Sequence, residues 1–254
     1  MRPSPLFLAV VAITALGGGL AWQGGQSRTG SARLGVFVFV VGGWIVSLCL
    51  HEFAHAFAAW RAGDHSVEAQ GYLTLNPFKY AHPVLSILLP IFFILQGGFG
   101  LPGGAVYLHP HAFRRRWQRS VAAASGPAVN VLCALALLGA TYGHASLGES
   151  HPTFWSAVAF LGFLQLTGAV LNLLPIPGLD GYAIIEPYLK PATARTLEPV
   201  KPWGMLAVFL LLTASTQING WFFRIVDDLY RATGADVYLY YLGSSLVRIG
   251  SGVL

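Results

Sequence analysis

The sequence predicts an all-α polytopic membrane protein, a bundle of about five to six transmembrane helices, and three observations predict it. First, 55% of the 254 residues are hydrophobic and only 10% charged, against roughly 25% charged in a soluble domain. The 15 Lys and Arg and 10 Asp and Glu residues are too few to cover a water-soluble surface of this length. Second, apolar stretches run at residues 5–23, 34–60, 83–99, 119–142, 153–175 and 203–222, with loops too short to hold a soluble domain between them. Third, 30 Gly, 7 Trp and 16 Phe suit helices that meet through small residues and anchor at the interfaces through aromatics. Two Cys exclude a disulfide framework. The net charge of +5 is thinly spread, which reads as a topology signal and not as a nucleic-acid surface.

Each stretch has its own marks. Arg2 precedes the first, but its end through Gly19 and Trp22 offers no small-x-small cleavage site, so 5–23 reads as a retained helix. The second, Leu34 to Trp60, is helical throughout in pattern. The third is the weakest: Pro90 interrupts it and Gly97, Gly98 and Gly100 close it, after a length that suits a re-entrant segment near 83–99 better than a span. Before the fourth lies the run Arg114, Arg115, Arg116 and Arg119, an anchor to anionic lipid. Ala122 and Gly126 then give that helix a small-x-x-x-small face. The fifth ends among Pro175, Pro177, Gly178 and Gly181, and the sixth closes a membrane-embedded domain over 1–222. The tail 223–254, with Asp227, Asp228 and Arg231, reads as interfacial.

Chemistry enters in the second stretch, at His51-Glu52-Phe53-Ala54-His55. On a helix, positions i and i+4 share a face, so both imidazoles of an H-E-x-x-H reach one ion with a carboxylate beside them. Charged side chains in the middle of a membrane helix each cost on the order of 2.5–3.5 kcal/mol, so they are seldom kept without a partner. Catalytic zinc takes three protein ligands, and Asp180 is the acidic residue placed to be the third. It sits in Asn172-Leu173-Leu174-Pro175-Ile176-Pro177-Gly178-Leu179-Asp180-Gly181, where two prolines and two glycines unwind the chain. Unwound backbone at membrane depth is tolerated where it is buried in protein or lines a cavity. Cys49, two residues before His51, falls on another helical face and reads as a packing residue.

H-E-x-x-H on one membrane helix followed by N-x-x-P-x-P-x-L-D-G on a later one resembles the site-2 protease family of intramembrane zinc metalloproteases, in a short form without a PDZ or CBS domain. Ser125-Gly126-Pro127-Ala128-Val129-Asn130 matches the family's G-P-x-x-N, and Gly71-Tyr72-Leu73-Thr74-Leu75-Asn76-Pro77 resembles a connector of its short bacterial branch. The resemblance covers approximately residues 34–185. It implies one zinc ion per chain held by His51, His55 and Asp180, with Glu52 as general base and Asn172 and Asn130 contacting the substrate backbone. It also implies single-pass membrane proteins as substrates, among them membrane-bound transcription regulators and their inhibitors. Where relatives carry H-x-D-P this chain has Tyr80-Ala81-His82-Pro83, and Gly104 to Pro110 matches loosely; these departures bear on substrate gating and leave the metal site alone.

Topology offers an internal test. If 83–99 crossed the bilayer, Asp180 would emerge on the face opposite the end of the H-E-x-x-H helix; as a re-entrant segment it leaves two crossings, and the ligands meet. With the N-terminus inside, one face then receives Arg2, Arg61, Lys79, Arg114, Arg115, Arg116, Arg119, Lys190, Arg195 and Lys201, and the other receives Arg28, Arg33, Arg224, Arg231 and Arg248. Positive-inside holds, with the site toward the cytoplasm of a bacterial inner membrane. The reading is therefore a zinc endopeptidase acting in or near transmembrane segments, with lipid and membrane proteins as its partners and no nucleic acid. The alternative is a non-catalytic scaffold or metal transporter that keeps a zinc site.

Overall fold

The computed structural model describes residues 2–27, 29–80, 89–95, 109–145 and 150–248. Its α-helices are α1 (Pro5–Gln23), α2 (Gly30–Ala62), α3 (Ser66–Ala69), α4 (Pro77–Tyr80), α5 (Leu89–Leu95) and α6 (Arg116–Ala145), followed by α7 (Pro152–Asn172), α8 (Asp180–Ile185), α9 (Pro191–Leu197), α10 (Gly204–Ala214), α11 (Thr216–Ala232) and α12 (Val237–Val247). No strand occurs among the described residues. Five segments are long and apolar enough to cross a bilayer: Pro5–Gln23, Gly30–Ala62, Arg116–Gly143, Pro152–Asn172 and Pro191–Ala214. The protein is thus an all-α, multi-pass membrane protein.

Local chemistry sets the helix ends. Ser4 caps α1 by accepting the Phe7 N–H, with Pro5 at the first helical position. Thr29 caps α2 through the Ala32 N–H, and Gly63, at φ +116°, ends it in the left-handed conformation that favours glycine. The 33 residues of α2 amount to about 50 Å of helix, more than the roughly 30 Å hydrocarbon core requires. The helix carrying the histidines therefore extends beyond the apolar layer or tilts within it.

α7 is the hub of the bundle, with almost its entire length buried. Its neighbours α2, α6, α11 and α12 all pack against it. In lipid there is no hydrophobic drive between helices, and close packing through small residues replaces it. Gly43 of α2 admits Leu161, and Gly162 admits Leu138 of α6: a Cβ at either glycine would lie 2.5 Å from the neighbouring leucine methyl. On the other side of α7, Tyr240 of α12 stacks on Phe163 with centroids 4.4 Å apart. Arg33, at the start of α2, donates to the carbonyls of Leu246 and Arg248 at 3.3 and 3.0 Å, so the chain's last described residues dock on the bundle.

One expectation needs adjustment. The sixth apolar stretch is not one helix over 203–222, because Ser215 is extended (φ −116°, ψ 109°) and separates α10 from α11. Its hydroxyl accepts the Ile218 N–H, and Asn219 Nδ2 donates to the Leu212 carbonyl at 3.0 Å. Local side-chain bonds therefore satisfy the backbone groups that the break exposes. The corresponding candidate span begins earlier, at Pro191, and ends at Ala214. Of the segment 83–99, the seven-residue α5 is described, with Ile94 buried. The rest of the re-entrant reading, together with His82 and Gly104, lies outside the described residues.

The connector after α2 folds back beneath the histidine-bearing half of that helix. Val67, Tyr72, Leu73 and Tyr80 form one buried cluster with Cys49, Ala56, Ala59 and Ala122. Tyr80 donates its hydroxyl to the Tyr72 carbonyl at 2.5 Å. Asp64, 2% exposed, accepts from the Ser66 hydroxyl and from the His109 N–H at 2.9 Å. The chain leaving α2 and the chain approaching α6 are tied together at that carboxylate.

Candidate metal centre

His51 and His55 lie one turn apart on α2, so their side chains leave the same face. That face is turned inward: His51, Glu52 and His55 are all buried. Asp180 arrives from an interrupted segment. Past Asn172, Pro175 and Pro177 cannot continue a helix, and the backbone turns at Gly178 with φ +97°. A Cβ there would also lie 2.1 Å from the Lys201 carbonyl oxygen, so both backbone angle and space demand glycine. Leu179 is extended and Asp180 opens α8. Ser120 of α6 donates to the Ile184 carbonyl at 2.6 Å. Glu186 accepts from Lys201 at 2.6 Å, with Arg119 at 3.8 Å. These bonds pin α8 to α6 and deliver its carboxylate to the histidines.

The ligand-type atoms of these three side chains converge. His51 Nε2 is 3.0 Å from His55 Nε2. Asp180 Oδ2 is 3.2 Å from His51 Nε2, and Asp180 Oδ1 is 3.4 Å from His55 Nε2. Around a tetrahedral zinc with bonds of about 2.0–2.2 Å, neighbouring ligand atoms stand roughly 3.3–3.5 Å apart, close to this triangle. Among the described residues, His51, His55 and Asp180 are the group of three metal-capable side chains drawn together in this way.

Three further features fit a cation. His55 Nδ1 faces the Ala122 carbonyl at 2.7 Å, and His51 Nδ1 faces the Asn130 side-chain carbonyl. Carbonyls only accept, so each Nδ1 carries a proton, and in the neutral imidazole that ligation requires, each Nε2 then turns its lone pair toward the other and toward Asp180. Asp180 Oδ2 is itself buried and accepts no hydrogen bond among the described residues. Finally, a Cβ built on Gly126 would lie 2.2 Å from His55 Nε2 and 2.6 Å from His51 Nε2. Glycine at 126 leaves open the space in front of both nitrogens where an ion belongs. A metal ligand of this type binds as the carboxylate.

The remaining expected residues separate. Glu52 is buried next to His51 on α2. Cys49 is buried in the cluster beneath α2 and lies outside the ligand group. Asn172, at the end of α7, is buried and makes no hydrogen bond to the trio. Asn130 stands behind His51. Its carbonyl receives His51 Nδ1 and its Nδ2 donates to Gln165 Oε1 at 2.8 Å, so its amide supports a ligand. Sequence reasoning also missed Gln165 and Ser47, which are joined at 2.7 Å. The available signal was a lone amide, Gln165, in the middle of the apolar 21-residue α7, where an unpartnered polar group is costly.

Curated relatives cover nearly the full chain. A Mycolicibacterium smegmatis protein named "Putative zinc metalloprotease Rip2" is 52% identical over 251 residues, 99% of this chain and 95% of its own. The Mycobacterium tuberculosis protein of the same name is 51% identical with the same coverage. A Bacillus subtilis protein, "Putative zinc metalloprotease YwhC", is 33% identical over 179 residues, 66% of this chain and 76% of its own. No family model matches the chain, and no solved structure does. Half of all positions shared along almost the whole length leaves little room for a different scaffold, and the convergent donors supply what a zinc enzyme needs: the chain belongs to the site-2 protease family of intramembrane zinc metalloproteases.

Proposed function

We propose that the protein cleaves peptide bonds in or near the transmembrane segments of single-pass membrane proteins. The observation that carries the reading is the triangle of His51, His55 and Asp180 held inside a membrane bundle with Glu52 beside it. The trio would hold one Zn2+, which when bound acidifies water and polarises a carbonyl. Glu52 accepts the proton of the attacking water and hands it to the departing amide nitrogen. Asn130 keeps His51 in its ligating orientation, and Asn172 donates to the substrate strand or to the developing oxyanion. A membrane helix hides its amides in internal hydrogen bonds, so substrates with helix-weakening residues are favoured. Membrane-bound transcription regulators and their inhibitors are the expected class.

The orientation follows from charge. With Arg114, Arg115, Arg116 and Arg119 inside, ten of the 15 Lys and Arg side chains face the cytoplasm of a bacterial inner membrane, and the metal centre opens toward that side. The amphipathic α11, with Phe222, Val226 and Tyr230 inward and Trp221, Ile225 and Leu229 outward, runs along the interface. Alkaline phosphatase fused after Arg115 should be inactive in bacterial cells, and robust activity would reverse the assignment.

Metal analysis tests the centre itself. Purified protein should carry about one zinc per chain, the stoichiometry of a three-ligand catalytic site. Asp180→Ala should fold, lose nearly all of its zinc and cleave no co-expressed membrane-anchored substrate. Zinc retained with unchanged affinity in that variant would show that Asp180 is not a ligand.

A further inference from the structure

We infer that Gln165 is a positioning residue, which with Ser47 sets the tautomer of His51 from outside the ligand shell. The two histidines are fixed in different ways. His55 Nδ1 meets a backbone carbonyl, that of Ala122, which can only accept. His51 Nδ1 meets a side-chain amide, Asn130, which is able to present either its carbonyl or its NH2. Turned over, Asn130 would donate to Nδ1, move the His51 proton to Nε2 and aim an N–H at the place where a ligand lone pair is required. Something must prevent the flip.

A chain of bonds from α7 and α2 prevents it. Ser47 donates its hydroxyl to the Trp44 carbonyl at 2.8 Å. With its proton spent there, Ser47 Oγ accepts, and Gln165 Nε2 donates to it at 2.7 Å. Gln165 must then present Oε1 to Asn130, whose Nδ2 donates at 2.8 Å. That leaves the Asn130 carbonyl facing His51. Every link is polar in one direction only, because the last acceptor is a backbone carbonyl that has no proton to give. Gln165 is 1% exposed and Ser47 6%, so water does not compete for the links. The metal-facing lone pair of His51 is thus decided three residues away, at the wall between α2 and α7.

The inference rests on His51 being a ligand, and its test separates the two claims. Gln165→Met keeps the volume and removes the polarity, whereas Gln165→Glu keeps the polarity in either protonation state. An ionised glutamate accepts from Asn130 and Ser47 alike, and a protonated one donates to Ser47 and accepts from Asn130. Nitrogen NMR of 15N-histidine-labelled, metal-free protein reads the His51 tautomer, and competition with a chelator reads zinc affinity. Wild-type and Gln165→Glu proteins should show His51 protonated at Nδ1. Gln165→Met should show a mixed or inverted tautomer and bind zinc about 10- to 100-fold more weakly, the usual effect of losing an outer-shell partner. A residue that only filled space would give the opposite order, with Met tolerated and Glu damaging, and that order would overturn the proposal. So would a wild-type tautomer and an affinity within about threefold of wild type in Gln165→Met, a difference too small for an outer-shell partner. If Gln165→Met does not fold, Ser47→Ala should shift the tautomer and Ser47→Thr restore it; no shift in Ser47→Ala counts against the inference. Wild-type protein that binds no zinc would defeat the metal-centre reading and this inference together.

Discussion

Glu52→Gln is expected to purify with its zinc and to lose cleavage by about two to four orders of magnitude, the contribution typical of general acid–base groups. The substitution keeps the shape of a buried side chain and removes only the basic oxygen. Zinc stays because the converging ligand atoms belong to His51, His55 and Asp180, and Glu52 is not among them. The comparison should be made on a transmembrane substrate in detergent or vesicles, with metal content measured on the same sample. Turnover near the wild-type rate by a fully metallated Glu52→Gln protein would remove Glu52 from the mechanism. Loss of zinc together with activity would instead make Glu52 part of the ligand shell.

Gly126→Ala should have an effect of similar size by an unrelated route. Elsewhere in a helix, exchanging Gly for Ala favours the helix by about 1 kcal/mol. At position 126 the added methyl would lie 2.2 Å from His55 Nε2 and 2.6 Å from His51 Nε2, about the length of a zinc–nitrogen bond. The methyl and the ion compete for one place. The variant should therefore keep its helix content and hold only a small fraction of the wild-type zinc, with activity falling in proportion. Gly139→Ala on the same helix is the control, since nothing lies within 4 Å of the added atom; it should match wild type in metal and turnover. A Gly126→Ala protein with full zinc occupancy would mean that the ion lies elsewhere than before the two Nε2 atoms.

Local rules carried much of this protein. The stretches at 5–23, 34–60, 119–142 and 153–175 became α1, α2, α6 and α7 because membrane helices must satisfy every backbone group internally, and a long apolar run leaves the chain no other choice. The stretch at 203–222 broke because Ser215 and Asn219 supply their own bonds to the backbone, a competition that hydropathy does not register. His51 and His55 were legible as a pair because i and i+4 share a helix face. Asp180 was legible because Pro175, Pro177 and Gly178 open the chain where unwound backbone requires a purpose.

The partners of those residues were a different matter. Asn130 carried a recognisable motif position, yet its role turned on which way its amide faces, and that depends on Gln165, 35 residues later, and Ser47, 118 residues before Gln165. The importance of Gly126 was visible as a small residue but not as the space an ion would fill. What the sequence determined by itself was the membrane bundle, the donor types and their spacing along each segment, because periodicity and backbone satisfaction are local. What only the tertiary structure decided was convergence: the 3.0–3.4 Å triangle and the direction of each hydrogen bond behind it, which arise where three distant segments pack and exclude water.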